Sequence, residues 1–138
     1  MPTSKRIVTG GSHQIRLRPT AATLFPEVSA LEITPRAAGK PSIEMPTASI
    51  PHITCSQTAH VDFIVFLNRH SGAPPDLLPY RKDVARYFMR QVLFGSAKSR
   101  ETQYEAIDRL LAVDVFELRY TDLDWGVCRL QKLVREGA

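Results

Sequence analysis

His60–His70, HVDFIVFLNRH, is the stretch whose reading decides the fold. Val61, Phe63, Ile64, Val65, Phe66 and Leu67 crowd β-branched and aromatic side chains into a short run, bounded by polar residues and by the Gly72–Pro75 turn region. Such a run reads as a strand buried on both faces, the centre of a sheet. Asn68, Arg69 and His70 then stand at its carboxyl end, where open α/β sheets usually seat ligands. Any binding site of the chain is expected near that end.

Working towards the C-terminus, the pattern becomes helical. Val84, Ala85, Phe88, Met89, Val92 and Leu93 share one stripe from Arg81 onward, with Gly95 as the expected stop. A second helix is predicted from about Ser99 as its cap, carrying Tyr104, Ile107, Leu110 and Leu111 at core spacing. Val115–Tyr120 alternates as a strand with one exposed side: Phe116, Leu118 and Tyr120 face one way, Val115, Glu117 and Arg119 the other. A closing helix is predicted after a Thr121 cap, with Asp122 and Asp124 in its first turn and Leu123, Val127, Leu130 and Val134 as its buried stripe.

Towards the N-terminus the pattern is weaker. Ile7-Val8 and Ile15–Leu17 are short apolar runs separated by Thr9-Gly10-Gly11-Ser12, a hairpin or a strand-loop-strand. Ala21–Leu31 is expected to be a short helix capped by Thr20 and confined by Pro26. Residues 32–58 hold prolines at 35, 41, 46 and 51 and read largely as loop, with Ser42–Met45 as an edge strand. The fold class expected is therefore mixed α/β (α+β): a partial mixed sheet with one buried central strand, three C-terminal helices and a Pro-rich irregular segment.

The chain has 138 residues, the size of one domain spanning 1–138, with 43% hydrophobic and 23% charged residues, as in soluble globular proteins. No window approaches the roughly 18–20 apolar residues of a membrane span, and Lys5 and Arg6 are followed by no apolar leader segment, so a cytoplasmic location and no membrane partner are expected. The formal charge is +4, with six Lys or Arg against three acids in residues 1–50, and twelve against eleven in residues 61–138. That excess is too dispersed to mark a nucleic-acid partner. Cys55 and Cys128 lack metal-ligand spacing; Cys128 reads as a small core residue, and Cys55 lies in a loop near His52 and His60. No metal site and no catalytic residue is assigned from spacing. His13, His52, His60 and His70 have no fixed partner, Asp62 reads as the entry of its strand or an outward-facing position, and Trp125 as a packing anchor.

Three phrases carry a resemblance: IRLRP within the upstream segment GSHQIRLRPTAATLFPEVSAL, IVFLNR in the apolar strand, and LRYTDL before the last helix. With the order of elements from Phe63 to Val134, the chain from Gly10 onward resembles the C-terminal half of HPr-kinase-like serine kinases. The resemblance implies a nucleotide-binding core shared with ATP-dependent phosphoenolpyruvate carboxykinase, and phosphorylation of a hydroxyl with ATP and magnesium as cofactors. It implies cofactor-binding roles for Arg16, Arg18 and Arg69, whose guanidinium groups suit phosphate. Each has a plain alternative: an exposed strand face for Arg16 and Arg18, a solvated turn for Arg69.

The chain departs from the family in one respect that matters. Phosphoryl transfer there needs a loop of the form G-x-x-x-x-G-K-[ST], whose amides and lysine hold the phosphates. Gly39-Lys40 is followed by Pro41, and no glycine precedes it at the required spacing. The expectation is an inactive C-terminal portion of such a kinase that binds no ATP or Mg alone. Its expected partners are a phosphate-loop-bearing chain, as in a split kinase, or a second copy through an exposed sheet edge. A basic module using Arg81, Lys82, Arg86 and Arg90 on nucleic acid is the remaining alternative.

Overall fold

The computed structural model describes residues 6–11, 13–35 and 39–137. Met1–Lys5, expected to hold no leader, and Ser12, expected in the turn, lie outside the described residues. Two compact units emerge, one of Ile7–Ala59 and one from His60 onward. Helices and sheets are mixed in an α+β arrangement, as the sequence pattern predicts.

The first unit contains Ile7–Thr9 (β1), Gln14–Leu17 (β2), Ala21–Leu24 (α1), Ile33–Thr34 (β3), Ser42–Pro46 (β4) and all but the last residue of Thr58–His60 (β5). The glycines between β1 and β2 separate strands of different sheets: β1 pairs with β5, and β2 lies in the three-stranded order β2-β4-β3. β4 is therefore the middle strand, not the edge strand expected. Its prolines explain how: Pro41 precedes the strand and Pro46 is its last residue, opposite Gln14, so Ile43, Glu44 and Met45 keep their N–H groups, with Ile43 lying between Leu17 of β2 and Ile33 of β3. Ile43, Ser42 and Val28 are buried here. The expected helix over Ala21–Leu31 is also shorter. α1 stops at Leu24, and Pro26–Val28 continues as a 3-10 turn with Pro26 near its start, because a proline ring clashes with the turn before it. Thr20 makes no capping bond through its side chain.

The second unit contains Phe63–Asn68 (β6), Asp76–Pro79 (β7), Lys82–Gln91 (α2), Ala97–Leu110 (α3), Asp114–Arg119 (β8) and Leu123–Glu136 (α4). Its sheet has the order β6-β8-β7. β8 runs parallel to β6, with Phe63 opposite Asp114 and Asn68 opposite Arg119, and antiparallel to β7. Parallel pairing demands a long crossover, which β7, α2 and α3 provide. Helices cover both faces. Ala85, Ile107 and Leu111 pack with Val115 on one face, joined by Ile64, Phe66, Tyr80, Met89 and Leu93. Leu133 packs with Phe116, Leu118 and Leu77 on the other, flanked by Phe63, Val65, Tyr120, Trp125 and Leu130.

The sheet thus has one buried central strand, and it is β8 instead of the more apolar β6. Alternation in VFELRY suggested a strand with one wet side. Val115, Phe116 and Leu118 are all buried, because α3 closes the face that Val115 shares with Glu117.

Helix starts follow the local chemistry, displaced from the expected caps. Ser96 Oγ accepts from Ser99 N at 3.3 Å and begins α3, so Ser99 sits inside the first turn. Asp122 Oδ1 accepts from Trp125 N at 2.7 Å and caps α4 in place of Thr121. α2 ends at Gln91, and Gly95, at φ +119°, turns the link to α3. In α4 the buried positions are Gly126 and Leu133, while Val127 and Val134 of the expected stripe are exposed. Cys128 is exposed too, contrary to its reading as a core residue.

Candidate interaction edge

A six-residue apolar strand at the rim of a sheet is the unusual feature of the second unit. β6 pairs with β8 along one side, and among the described residues no strand pairs with its other side. Backbone donors and acceptors along such a rim can be satisfied by water or by another strand, and the second option makes a free edge a template for association. Leu67 shows the consequence. It stands opposite Leu118, which is 1% exposed, yet is itself 64% exposed.

The carboxyl end of this edge is held by a polar cluster. Glu117, on the central strand, accepts from Asn68 Nδ2 at 2.8 Å and from Arg119 Nε at 3.0 Å. Its side chain is only 15% exposed, so both carboxylate oxygens are satisfied by partners that the parallel register delivers. Asn68 is thereby fixed in place at the end of β6. Sequence pattern alone placed Glu117 and Arg119 on an outer face; their partner Asn68 comes from a strand far away in the chain, which no local signal reveals.

Beside the cluster opens an apolar cleft of about 510 Å³, lined by Phe66, Leu67, Tyr80, Phe88, Met89 and Val92 together with Asn68 and Glu117. Phe88 of α2 and Val92, just past its end, are exposed there. Leu67 belongs to the edge and also lines the cleft. A separate shallow groove on α4, lined by Val127, Leu130 and Val134, accounts for the exposed half of that helix.

Asp62, just before β6, and Asp114, the first residue of β8, lie at the amino end; Arg69, His70 and Arg119 lie at the carboxyl end, where Arg119 is paired with Glu117. Asp76 of β7 is opposite Arg119, but its Oδ1 accepts from Leu77 N. Arg69 is exposed immediately beyond Asn68.

Arg16 and Arg18 belong to the other compact unit. Arg16 Nε lies 3.5 Å from Glu44 Oε1 on the adjacent strand, an ion pair placed by the register that sets Arg16 opposite Glu44. Arg18, just past β2, is exposed. Gly39 has φ +91°, and the chain runs from Lys40 through Pro41 directly into β4. A phosphate loop instead delivers its lysine to a helix N-terminus, whose free N–H groups complete the anion site. Gly39-Lys40 is therefore not built as a phosphate loop. Among the described residues, no group of three or more His, Cys, Asp or Glu is placed to hold a metal ion. His13 and Cys55 line a common cleft with Gly10 and Gly11.

Arg81, which precedes α2, and Arg86 and Arg90 within it are engaged locally. Arg81 donates to Asp83, Arg86 Nε donates to Asp108 Oδ1 at 2.7 Å, and Arg90 lies 3.6 Å from Asp108 Oδ2 with its guanidinium 4.3 Å from the Tyr104 ring centroid. Their work is to fasten α2 to α3 and to the first turn. No helix among the described residues is long and apolar enough to cross a membrane. Compared with family models, curated proteins and solved structures, the chain gives no match in any of the three.

Proposed function

We propose that the chain is an association domain on the plan of the C-terminal part of HPr-kinase-like serine kinases, without phosphoryl transfer of its own, that works by pairing through the free side of β6. The observation that supports this most is the placement of the most apolar strand at an edge: a sequence suited to two strand neighbours has one among the described residues. The polar cluster at Asn68 keeps the end of that edge in one conformation, which favours specific over indiscriminate pairing. Incubating the purified chain with Mg and γ-labelled ATP and a serine-containing peptide is expected to give no transfer. Labelled peptide produced by the chain alone refutes the proposal.

A second reading is a split kinase, in which another polypeptide brings the phosphate loop to this edge. It is favoured by Arg69 and Arg119 at the carboxyl end of two parallel strands, where nucleotide ligands are seated in open α/β sheets. The DNA directly upstream of the Met1 codon is the place to look for a G-x-x-x-x-G-K-[ST] segment. If co-expression with such a polypeptide restores serine phosphorylation, and Arg69→Ala removes it, the split arrangement replaces the first reading.

A further inference from the structure

We propose that the strand completing the β6 edge is β6 of a second copy, the two running antiparallel about a two-fold axis perpendicular to the sheet. This rests on the association reading above and names its partner. Charge selects the direction. An antiparallel pair sets Asp62, just before β6 of one copy, near Arg69, just past β6 of the other, and does so twice by symmetry. A parallel pair sets like beside like at both ends.

Geometry then selects the register. Residues directly opposite in an antiparallel pair point to the same face, and a two-fold axis normal to the sheet leaves each face on its own side. Opposed residues must therefore be both odd or both even in number. An axis between Val65 and Phe66 is forbidden, and an axis on a residue is required. Centred on Val65, the pairing sets Phe63 against Leu67, Ile64 against Phe66 and Val65 against itself, so every member of the run Phe63–Leu67 meets an apolar partner. Asp62 then faces Asn68. Centred one residue later, on Phe66, Ile64 would face Asn68 and Phe63 would face Arg69. The Val65 axis also carries Leu67, the most exposed residue of the strand, against the partner's Phe63, which extends the aromatic contact that Phe63 makes with Phe116, ring centroids 6.1 Å apart. A closed pair of this kind uses up the edge and leaves no template for further growth.

The test is sedimentation equilibrium of the full chain from 1 to about 200 μM, with cross-linking in a Cys55→Ser, Cys128→Ser background. Wild type is expected to form a dimer and nothing larger. Leu67→Lys, at a position open enough to accept the change, is expected to weaken dimerisation at least tenfold at unchanged far-ultraviolet circular dichroism. Val65→Cys lies on the axis and is expected to oxidise to a covalent dimer. Leu67→Cys is expected not to, because two copies of residue 67 stand about 14 Å apart at ~3.4 Å per residue, beyond disulfide reach. A wild-type monomer at every concentration, open-ended polymers, cross-linking at 67 in place of 65, or a monomer that takes up an added extended peptide instead would overturn the self-pairing. None of these readings involves nucleotide, so a failed dimer leaves the lack of phosphoryl transfer to be judged by its own assay.

Discussion

Replacing Leu118 by alanine and, separately, Leu67 by alanine tests which strand is the centre of the second unit. The two leucines face each other across the β6–β8 pair, are chemically identical and lie on the same side of the sheet. Leu118 is 1% exposed and packs with Leu77, Phe116 and Leu133; with strands on both sides and α4 above, little can collapse into the space it leaves. Core Leu→Ala changes cost about 2–5 kcal/mol, and this confinement argues for ~3–4 kcal/mol at Leu118. Leu67 has most of its surface already in water, so at about 25 cal/mol per Å² its truncation costs below ~1 kcal/mol. Trp125 is the only tryptophan and packs against the same cluster, so its fluorescence in urea reports this core. The measurement belongs at low micromolar protein, where pairing through β6 does not add to apparent stability. If Leu67→Ala costs as much as Leu118→Ala, β6 is the covered strand and the edge assignment is wrong.

Glu117→Gln places an amide where a carboxylate accepts from both Asn68 and Arg119; one of the facing donors then loses its acceptor, and a loss of about 1–2 kcal/mol in urea unfolding is expected, with no loss counting against the cluster. Asp122→Ala is expected to cost about 1 kcal/mol through the lost α4 cap and Thr121→Ala close to nothing, and the reverse ranking would restore Thr121 as the cap. The hydrogen bond from Arg81 holds the Asp83 carboxyl below its ordinary value. Because the folded value lies below the unfolded one, the pair contributes stability above the unfolded value and loses it as pH falls through the folded one; an NMR titration of Asp83 should move upward in Arg81→Ala, and an unchanged midpoint would remove Arg81 as the cause. Both Cys55 and Cys128 are exposed and should react with a thiol reagent without denaturant, whereas a second thiol seen only after unfolding would return one of them to the interior.

Much of the second unit is legible in the sequence because its signals are local. The apolar run at Phe63–Leu67, the stripe of α2, the alternation over Phe116–Tyr120 and the closing helix are each visible within a short window, and each exists. What is not local was misread. The order of strands depends on which partner a strand finds, and β6, being more apolar than β8, looked like the centre. The apolar spacing of α4 points to a stripe through Val127 and Val134, but Gly126 lies against the Tyr120 ring, so close that an added Cβ would come within 3.1 Å of it. That contact turns the helix face towards Gly126, Leu130 and Leu133, and small size at the point of closest approach carries no hydrophobic signal. In the first unit, prolines at 41 and 46 suggested loop and edge, yet they bracket β4 without interrupting it. The arginines at 16 and 18 were legible as an outward strand face, whereas the pairing of Arg16 with Glu44 depends on a strand register that spacing does not encode.

The mismatch between composition and position at β6 connects fold to function. A strand kept soluble at an edge is ordinarily blunted by charge, proline or a bulge within its length. Between Phe63 and Leu67 β6 has none of these, and its charged neighbours Asp62 and Arg69 stand outside the run with opposite signs. Such flanks do little to repel an antiparallel copy and are well placed to align one. The same arrangement explains why the polar cluster sits where it does. Asn68 is the first residue past the apolar run, and with its amide fixed on Glu117 the strand is unable to slide by one residue without breaking that bond and turning every side chain to the wrong face. Register is thus set inside the unit before any partner arrives. An edge that is apolar, unblunted and locked in register is what the proposed pairing rests on, and it belongs to the second unit by itself, independent of any nucleotide chemistry.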